Sequence, residues 1–199
     1  MKNSVQKYFD SVAIFYKNSH IFPFNYLRKK ELESFNEALK KVEIIKKDVL
    51  EIGSGIGFYT KILINQCEKP LTVCDISSKM LAQLQENHIT KICGDFCYIK
   101  LNSQFDVVSA ISVFEFISNR NIFFTKITEC LKKNGFLILS VIRPNIFGKI
   151  YYLYHRQHNL KILISPLDLK DLEKNFNLKL IFQKKSHLFS QMLVFVCQN

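Results

Sequence analysis

Val49-Leu50-Glu51-Ile52-Gly53-Ser54-Gly55-Ile56-Gly57 runs a short apolar strand into a glycine-rich turn, and Phe58-Tyr59-Thr60-Lys61-Ile62-Leu63 continues it as a helix. Glycines let the backbone bend sharply and approach a ligand with no Cβ in the way, and the helix behind them offers unpaired N–H groups. The pattern reads as a loop for a nucleotide-type ligand. Dinucleotide sites space their glycines as G-x-G-x-x-G. Here the third glycine falls one position early and Phe58 follows it, so the pattern is G-x-G-x-G with Glu51 two positions ahead.

Further along, Leu71-Thr72-Val73-Cys74-Asp75-Ile76-Ser77 is an apolar strand ending in an acid 24 positions after Glu51. A carboxylate at such a strand end accepts both hydroxyls of a ribose. Ser77 then caps a helix with Met80, Leu81 and Leu84 on one face. Gly94-Asp95-Phe96 and the strand pattern Gln104-Phe105-Asp106-Val107-Val108-Ser109-Ala110 come next. A helix closed by Lys132-Lys133-Asn134-Gly135 is expected before the strand Phe136 to Val141, because cations and glycine favour a helix C-terminus.

With these motifs the chain resembles the class I S-adenosylmethionine-dependent methyltransferases, whose first motif is (Asp/Glu)-x-Gly-x-Gly-x-Gly, over roughly residues 45 to 197. Tyr8-Phe9-Asp10-Ser11-Val12-Ala13-Ile14-Phe15-Tyr16 and Val113-Phe114-Glu115-Phe116-Ile117 resemble the small-molecule group that includes the ubiquinone, menaquinone and malonyl-carrier-protein enzymes. That group often has His where Phe116 stands. Neither Asn/Asp-Pro-Pro-Tyr nor a Pro-Cys nucleophile is present, and Ser109-Ala110-Ile111-Ser112 follows the fourth strand instead.

The alternation of strands and helices predicts an α/β fold, a doubly wound, mostly parallel sheet with helices on both faces. The resemblance implies seven strands, the last two an antiparallel hairpin at the sheet edge. Residues 1–44 read as an N-terminal helical cap, interrupted around Pro23, and 45–199 as the methyltransferase domain, together one globular unit. Ser165-Pro166-Leu167-Asp168 reads as a helix start. No stretch approaches the ~20 apolar residues of a membrane span. Met1 to Lys7 has no apolar signal region, so the protein is expected in the cytoplasm.

Six cysteines (Cys67, Cys74, Cys93, Cys97, Cys130 and Cys197) fall mostly within apolar segments and read as reduced core thiols. Neither Cys93-x-x-x-Cys97 nor His155-x-x-His158 has further ligands at suitable spacing, so no metal is expected. The formal charge is +11, yet of 28 basic residues only Arg28, Arg120, Arg143 and Arg156 are arginines, and the lysines are scattered. That make-up reads as solvated surface, with an acidic carrier protein or a peripheral membrane contact as a possible partner, and not as a nucleic-acid interface.

The resemblance implies S-adenosylmethionine as cofactor and S-adenosylhomocysteine as product. Gly53, Ser54, Gly55 and Gly57 would pass under the methionine part, and Glu51 would fix the loop. Asp75 would hold the ribose, Ile76 and Met80 would cover the adenine, Asp95 and Phe96 would meet its amine edge and ring, and Ser109 would line the methyl end. The implied activity is methyl transfer to a small molecule that is lipid-like, quinone-type, or a carboxylate on a carrier. An RNA or protein methyltransferase and a non-catalytic cofactor-binding scaffold are the alternatives. A sulfonium already makes its methyl electrophilic, so a protein base is optional. Tyr16 and His155 are the candidates for that role, from a group that also holds Tyr8, Tyr151, Tyr152, Tyr154, Arg156 and His158.

Overall fold

The computed structural model describes residues 4–20, 24–158, 160, 162–164 and 166–198. The helix interruption expected at Pro23 and the residue Ser165 lie outside them.

Helix α1 (Ser4–Val12) leads through a 3-10 segment, Ala13–His20, to the long helix α2 (Phe24–Val42). The core then alternates β1 (Val49–Ile52), α3 (Phe58–Ile64), β2 (Leu71–Asp75), α4 (Ser78–Leu81), β3 (Ile89–Cys93), β4 (Phe105–Ala110), a 3-10 turn Phe114–Phe116, α5 (Arg120–Cys130) and β5 (Leu131–Ile142). Helices α6 (Ile146–Gln157) and α7 (Leu169–Phe176) precede β6 (Leu178–Lys185) and β7 (Ser190–Cys197). One seven-stranded sheet has the order β3-β2-β1-β4-β5-β7-β6, with β7 antiparallel to both neighbours and the other pairs parallel. The order reverses between β1 and β4, so the carboxyl ends of β1, β2 and β4 surround the crevice where such sheets bind ligands.

Strand side chains alternate between two cores. Leu50, Ile52, Val108, Ala110, Leu137 and Leu139 pack against Phe123, Phe124 and Ile127 of α5. Val49, Val73, Val107, Ile138 and Val194 pack against Phe35, Leu39 and Val42 of α2 and Leu63 of α3. Each of the fully buried Leu or Phe side chains contributes about 1.5–3 kcal/mol through burial. At the amino ends of the strands, Lys132 Nζ reaches Asp48 Oδ2 (2.6 Å) and Asp106 Oδ2 (2.9 Å), and Lys69 Nζ reaches Asp48 Oδ1 (2.9 Å).

Two expected helix boundaries move. Helix α5 ends at Cys130, not at Lys132 to Gly135, and Leu131 is already paired with Phe105 in β5 ahead of a bulge. Leu131 is fully buried and Lys132 is drawn to the two aspartates, so both favour extended backbone. Helix α7 begins at Leu169, with Asp168 as N-cap accepting from the N–H groups of Lys170 and Asp171. The side-chain cap fixes the start there, beyond Pro166.

Candidate functional site

The crevice opens into a cavity of about 1060 Å³ that extends from the glycine loop to the underside of α1, α6 and the β6–β7 turn. Its floor is built locally. Gly53 and Ser54 donate their N–H groups to Cys74 O (2.7 and 3.2 Å), and Gly57 N–H to Ser54 O (2.9 Å). Gly53, Gly55 and Gly57 all have positive φ (69°, 55° and 92°), which explains why glycine occupies these positions.

Asp75 ends β2 with both oxygens engaged, Oδ2 by Gly55 N–H and Oδ1 by Ser77 N–H, each at 2.8 Å. Burial raises its pKa, and the two backbone hydrogen bonds oppose that. Each carboxylate oxygen carries two lone pairs, so capacity remains for hydroxyl donors from the cavity. Ile76, Met80, Asp95 and Phe96 line the same side. Asp95 holds its own turn by accepting from Cys97 N–H (3.1 Å), and Phe96 meets Phe123 edge-on with centroids 5.6 Å apart.

Glu51, Gly57 and Ser109 are absent from the cavity's lining. Strand parity explains the first and last, because both lie on the α2/α3 face with Val49 and Val107 and pair with one another in register. Glu51 is 3% exposed, accepts from Thr60 Oγ1 of α3 (2.6 Å), and is pushed up to about 7 by burial. It braces the loop from behind. Ser109 is fully buried with Oγ unpartnered, and Ile111 and Ser112 reach the cavity in its stead.

Both base candidates line the cavity. Burial raises the Tyr16 pKa, with Arg28 opposing, and holds His155 down at about 4. Tyr8 and Phe9 of α1 roof this end, Tyr8 against His155 (6.5 Å between centroids) and Phe9 against Phe116 (5.2 Å). At its other side α1 is tied to the β2 end, because Ser77 Oγ donates to Asp10 Oδ1.

Several groups were not read from the sequence as site residues. Glu31 of α2 accepts from Tyr59 OH (2.9 Å), Ser112 Oγ (3.1 Å) and Ser190 Oγ (3.2 Å), joining α3, β4 and β7. Glu115 accepts from Tyr151 OH at 3.3 Å through Oε1, while Oε2 has no partner, and burial pushes its pKa up to about 7. The guanidinium of Arg28 lies 4.8 Å from the Phe58 ring centre, beside the loop. His187 and Phe189 enter from the β6–β7 turn. A signal for Glu31 does exist, since it stands on the buried stripe Phe35, Ala38 and Val42 of α2, where a carboxylate requires partners. Among the described residues no group of three or more His, Cys, Asp or Glu is placed to hold a metal ion. None of the described helices is long and apolar enough to cross a membrane.

Residues 50–139 match a family described as a methyltransferase domain. The chain is 27% identical over 111 residues to the malonyl-[acyl-carrier protein] O-methyltransferase of Priestia megaterium, covering 53% of this chain and 40% of that protein. It is 25% identical over 170 residues to the enzyme of the same name from Bacillus cereus, covering 80% and 61%. It therefore spans less than two thirds of either relative's length. Among solved structures, magnesium protoporphyrin IX methyltransferase from Synechocystis PCC 6803 with bound SAH superimposes with a TM-score of 0.77 at 15% identity, covering 96% of this chain and 97% of that one. The N-methyltransferase NodS from Bradyrhizobium japonicum WM9 in complex with SAH gives 0.73 at 14%, covering 99% and 100%.

Proposed function

We propose that this chain, which belongs to the class I S-adenosylmethionine-dependent methyltransferases, transfers the methyl group of S-adenosylmethionine to a small molecule held in the same cavity. One observation carries the reading. The glycine loop, Asp75 and Asp95 line one end of a continuous cavity whose other end is aromatic and lined by α1.

In this reading Gly53, Ser54 and Gly55 lie under the methionine part, Asp75 takes the ribose hydroxyls, Ile76 and Met80 flank the adenine, and Asp95 and Phe96 meet its edge. Glu51, through Thr60, holds the loop from behind, and Gly57 closes its turn. Arg28 is the only Lys or Arg among the described lining residues, and the reading gives it the carboxylate of the methionine end. The bound cofactor would supply an electrophilic methyl carbon. Helices α1 and α2 then exclude water and hold the acceptor in line, which supplies much of the acceleration.

A carrier-borne acceptor is a second reading, supported by the names of the two relatives. Helix α6, beside the cavity, also exposes Ile146, Ile150 and Leu153 among the cations Lys149 and Arg156, a surface suited to an acidic carrier or an anionic lipid surface.

The test is calorimetric titration of S-adenosylhomocysteine into the protein and its Asp75→Ala variant. We expect binding that weakens tenfold or more, since hydrogen bonds to a charged group are worth about 1.5–3 kcal/mol each. An affinity within twofold of the unaltered protein would refute the ribose assignment. Methyl-labelled cofactor incubated with cell extract then identifies the acceptor, with label in extractable small molecules expected. Label confined to precipitated protein or RNA would overturn the small-molecule reading.

A further inference from the structure

Charge within the cavity runs against charge on the chain. The protein carries +11 overall, yet among the described lining residues Arg28 is the only Lys or Arg, while Glu31, Asp75, Asp95 and Glu115 are all acidic. Asp75 and Asp95 stand at the glycine-loop end. Glu31 and Glu115 stand at the other, under aromatic side chains.

Glu115 is the informative member. It is 2% exposed, on the 3-10 turn after β4; its Oε1 accepts from Tyr151 OH at 3.3 Å, and its own backbone N–H also favours the carboxylate. Oε2 is buried without a partner in the protein. An unpaired buried polar atom is costly, and because Glu115 lines the cavity, a cation meeting its carboxylate there would offset that cost. His155 Nδ1 is likewise buried and unpartnered, and the His155 ring lies 4.4 Å from Tyr151 and 5.5 Å from Phe116 between centroids. Phe9 in turn meets Phe116. Carboxylate oxygens beside ring faces and edges form the environment that recognises an organic ammonium, by charge-assisted hydrogen bonds and by cation–π attraction. A carboxylate brought to the same place would face two buried acids. Among the described lining residues the one cation that could offset them is Arg28, whose guanidinium lies 4.8 Å from the Phe58 ring centre and 6.0 Å from that of Tyr16.

Resting on the methyl-transfer reading above, we infer that the acceptor is an amine on an apolar body, bound as its ammonium against the Glu115 carboxylate with the apolar part between Phe9, Phe116 and Tyr151. Glu115 takes one proton from the ammonium. The freed nitrogen lone pair forms the new C–N bond to the methyl carbon as the C–S bond breaks, with that bond's electron pair staying on sulfur. Sulfur thereby becomes a neutral thioether, and the positive charge it carried passes to the methylated nitrogen. No further reactant is required.

The test compares phenethylamine with 3-phenylpropionate, similar in size and opposite in charge, by calorimetry with the full chain in the presence and absence of S-adenosylhomocysteine. We expect the amine to bind at least tenfold more tightly. Glu115→Gln, which keeps the shape and removes the charge, should abolish most of that preference and leave S-adenosylhomocysteine affinity within twofold. Equal binding, or tighter binding of 3-phenylpropionate, would overturn the inference and return the carrier-borne carboxylate to first place. An amine preference unchanged in Glu115→Gln would overturn the role of Glu115. Failure of S-adenosylhomocysteine to bind at all would instead refute the methyl-donor reading, and the comparison made without it would still decide which charge the aromatic end of the cavity prefers.

Discussion

Asp10 and Ser77 lie 67 residues apart in sequence and 2.6 Å apart in space, with Ser77 Oγ donating to Asp10 Oδ1. Ser77 also donates its N–H to Asp75 and accepts from Met80 N–H as the N-cap of α4. One serine therefore ties the roof helix to the carboxylate assigned to the ribose. Asp10→Ala leaves Ser77 Oγ without its acceptor and should cost about 1.5–3 kcal/mol, the range for a hydrogen bond to a charged group. We expect a melting temperature several degrees lower and faster tryptic cleavage after Lys7 of α1. Cleavage and melting equal to those of the unaltered protein would show that α1 is held by its ring contacts alone.

Glu51 makes a second prediction, in which the sign matters. Burial raises its carboxyl from the usual 4.5 to about 7, so the folded protein prefers the neutral acid. Below pH 4.5 the group is neutral in both states and costs nothing. Between pH 4.5 and 7 the unfolded chain ionises first, and the penalty grows to about 3 kcal/mol at 1.36 kcal/mol per pKa unit. Glu51→Gln keeps an oxygen for Thr60 Oγ1 and removes the charge. Its melting temperature relative to the unaltered protein should climb from pH 5 to pH 8. A difference that stays flat over this range would mean that Glu51 is not ionised at a cost in the fold.

The loop and the Asp75 end of the cavity were legible as structure because single residue types carry them. Positive φ demands glycine at Gly53, Gly55 and Gly57, and an acid at the end of an apolar strand announces Asp75. Ser109 shows where sequence order misleads. It stands one residue before the end of β4, yet period-two alternation aims it with Glu51 at the α2/α3 core, and the chain reaches the cavity only at Ile111. β3 was not read as a strand because as an edge strand it keeps Thr90, Lys91 and Cys93 exposed and has no apolar run. The acidic, aromatic end was illegible for a different reason. Glu31 and Glu115 are brought together by α2 crossing the ends of β4 and β7, a tertiary event without a local signature.

Arg28 yields a prediction that separates two kinds of loss. If it meets the methionine carboxylate, Arg28→Ala should weaken S-adenosylhomocysteine five- to twentyfold and leave adenosine, which lacks that carboxylate, unaffected. Arg28→Lys should recover only part, since a lysine keeps the charge but not the planar stacking on Phe58 at 4.8 Å. Equal weakening of both ligands would mean that Arg28 shapes the loop and does not touch the ligand.

Gly53 and Gly55 share a left-handed backbone but differ in surroundings. A Cβ on Gly55 would meet nothing within 4 Å, so Gly55→Ala should cost only the left-handed penalty of about 1–2 kcal/mol. A Cβ on Gly53 would stand 2.0 Å from Val113 Cγ2, and overpacking adds a further 1–3 kcal/mol or so. Gly53→Ala should therefore be the more damaging in thermal or urea unfolding. Val113 is stiff at χ1 and immediately precedes the turn that carries Glu115, so the clash moves backbone more readily than it turns a rotamer. Combining Gly53→Ala with Val113→Ala removes the offending methyls, and the double variant should return to the stability loss of Gly55→Ala plus the cost of Val113→Ala alone. Strict additivity of the two single changes would show that the loop yields without help from Val113. Recovery in the double variant would establish that the glycine loop and the Glu115 turn are mechanically coupled through one side-chain contact.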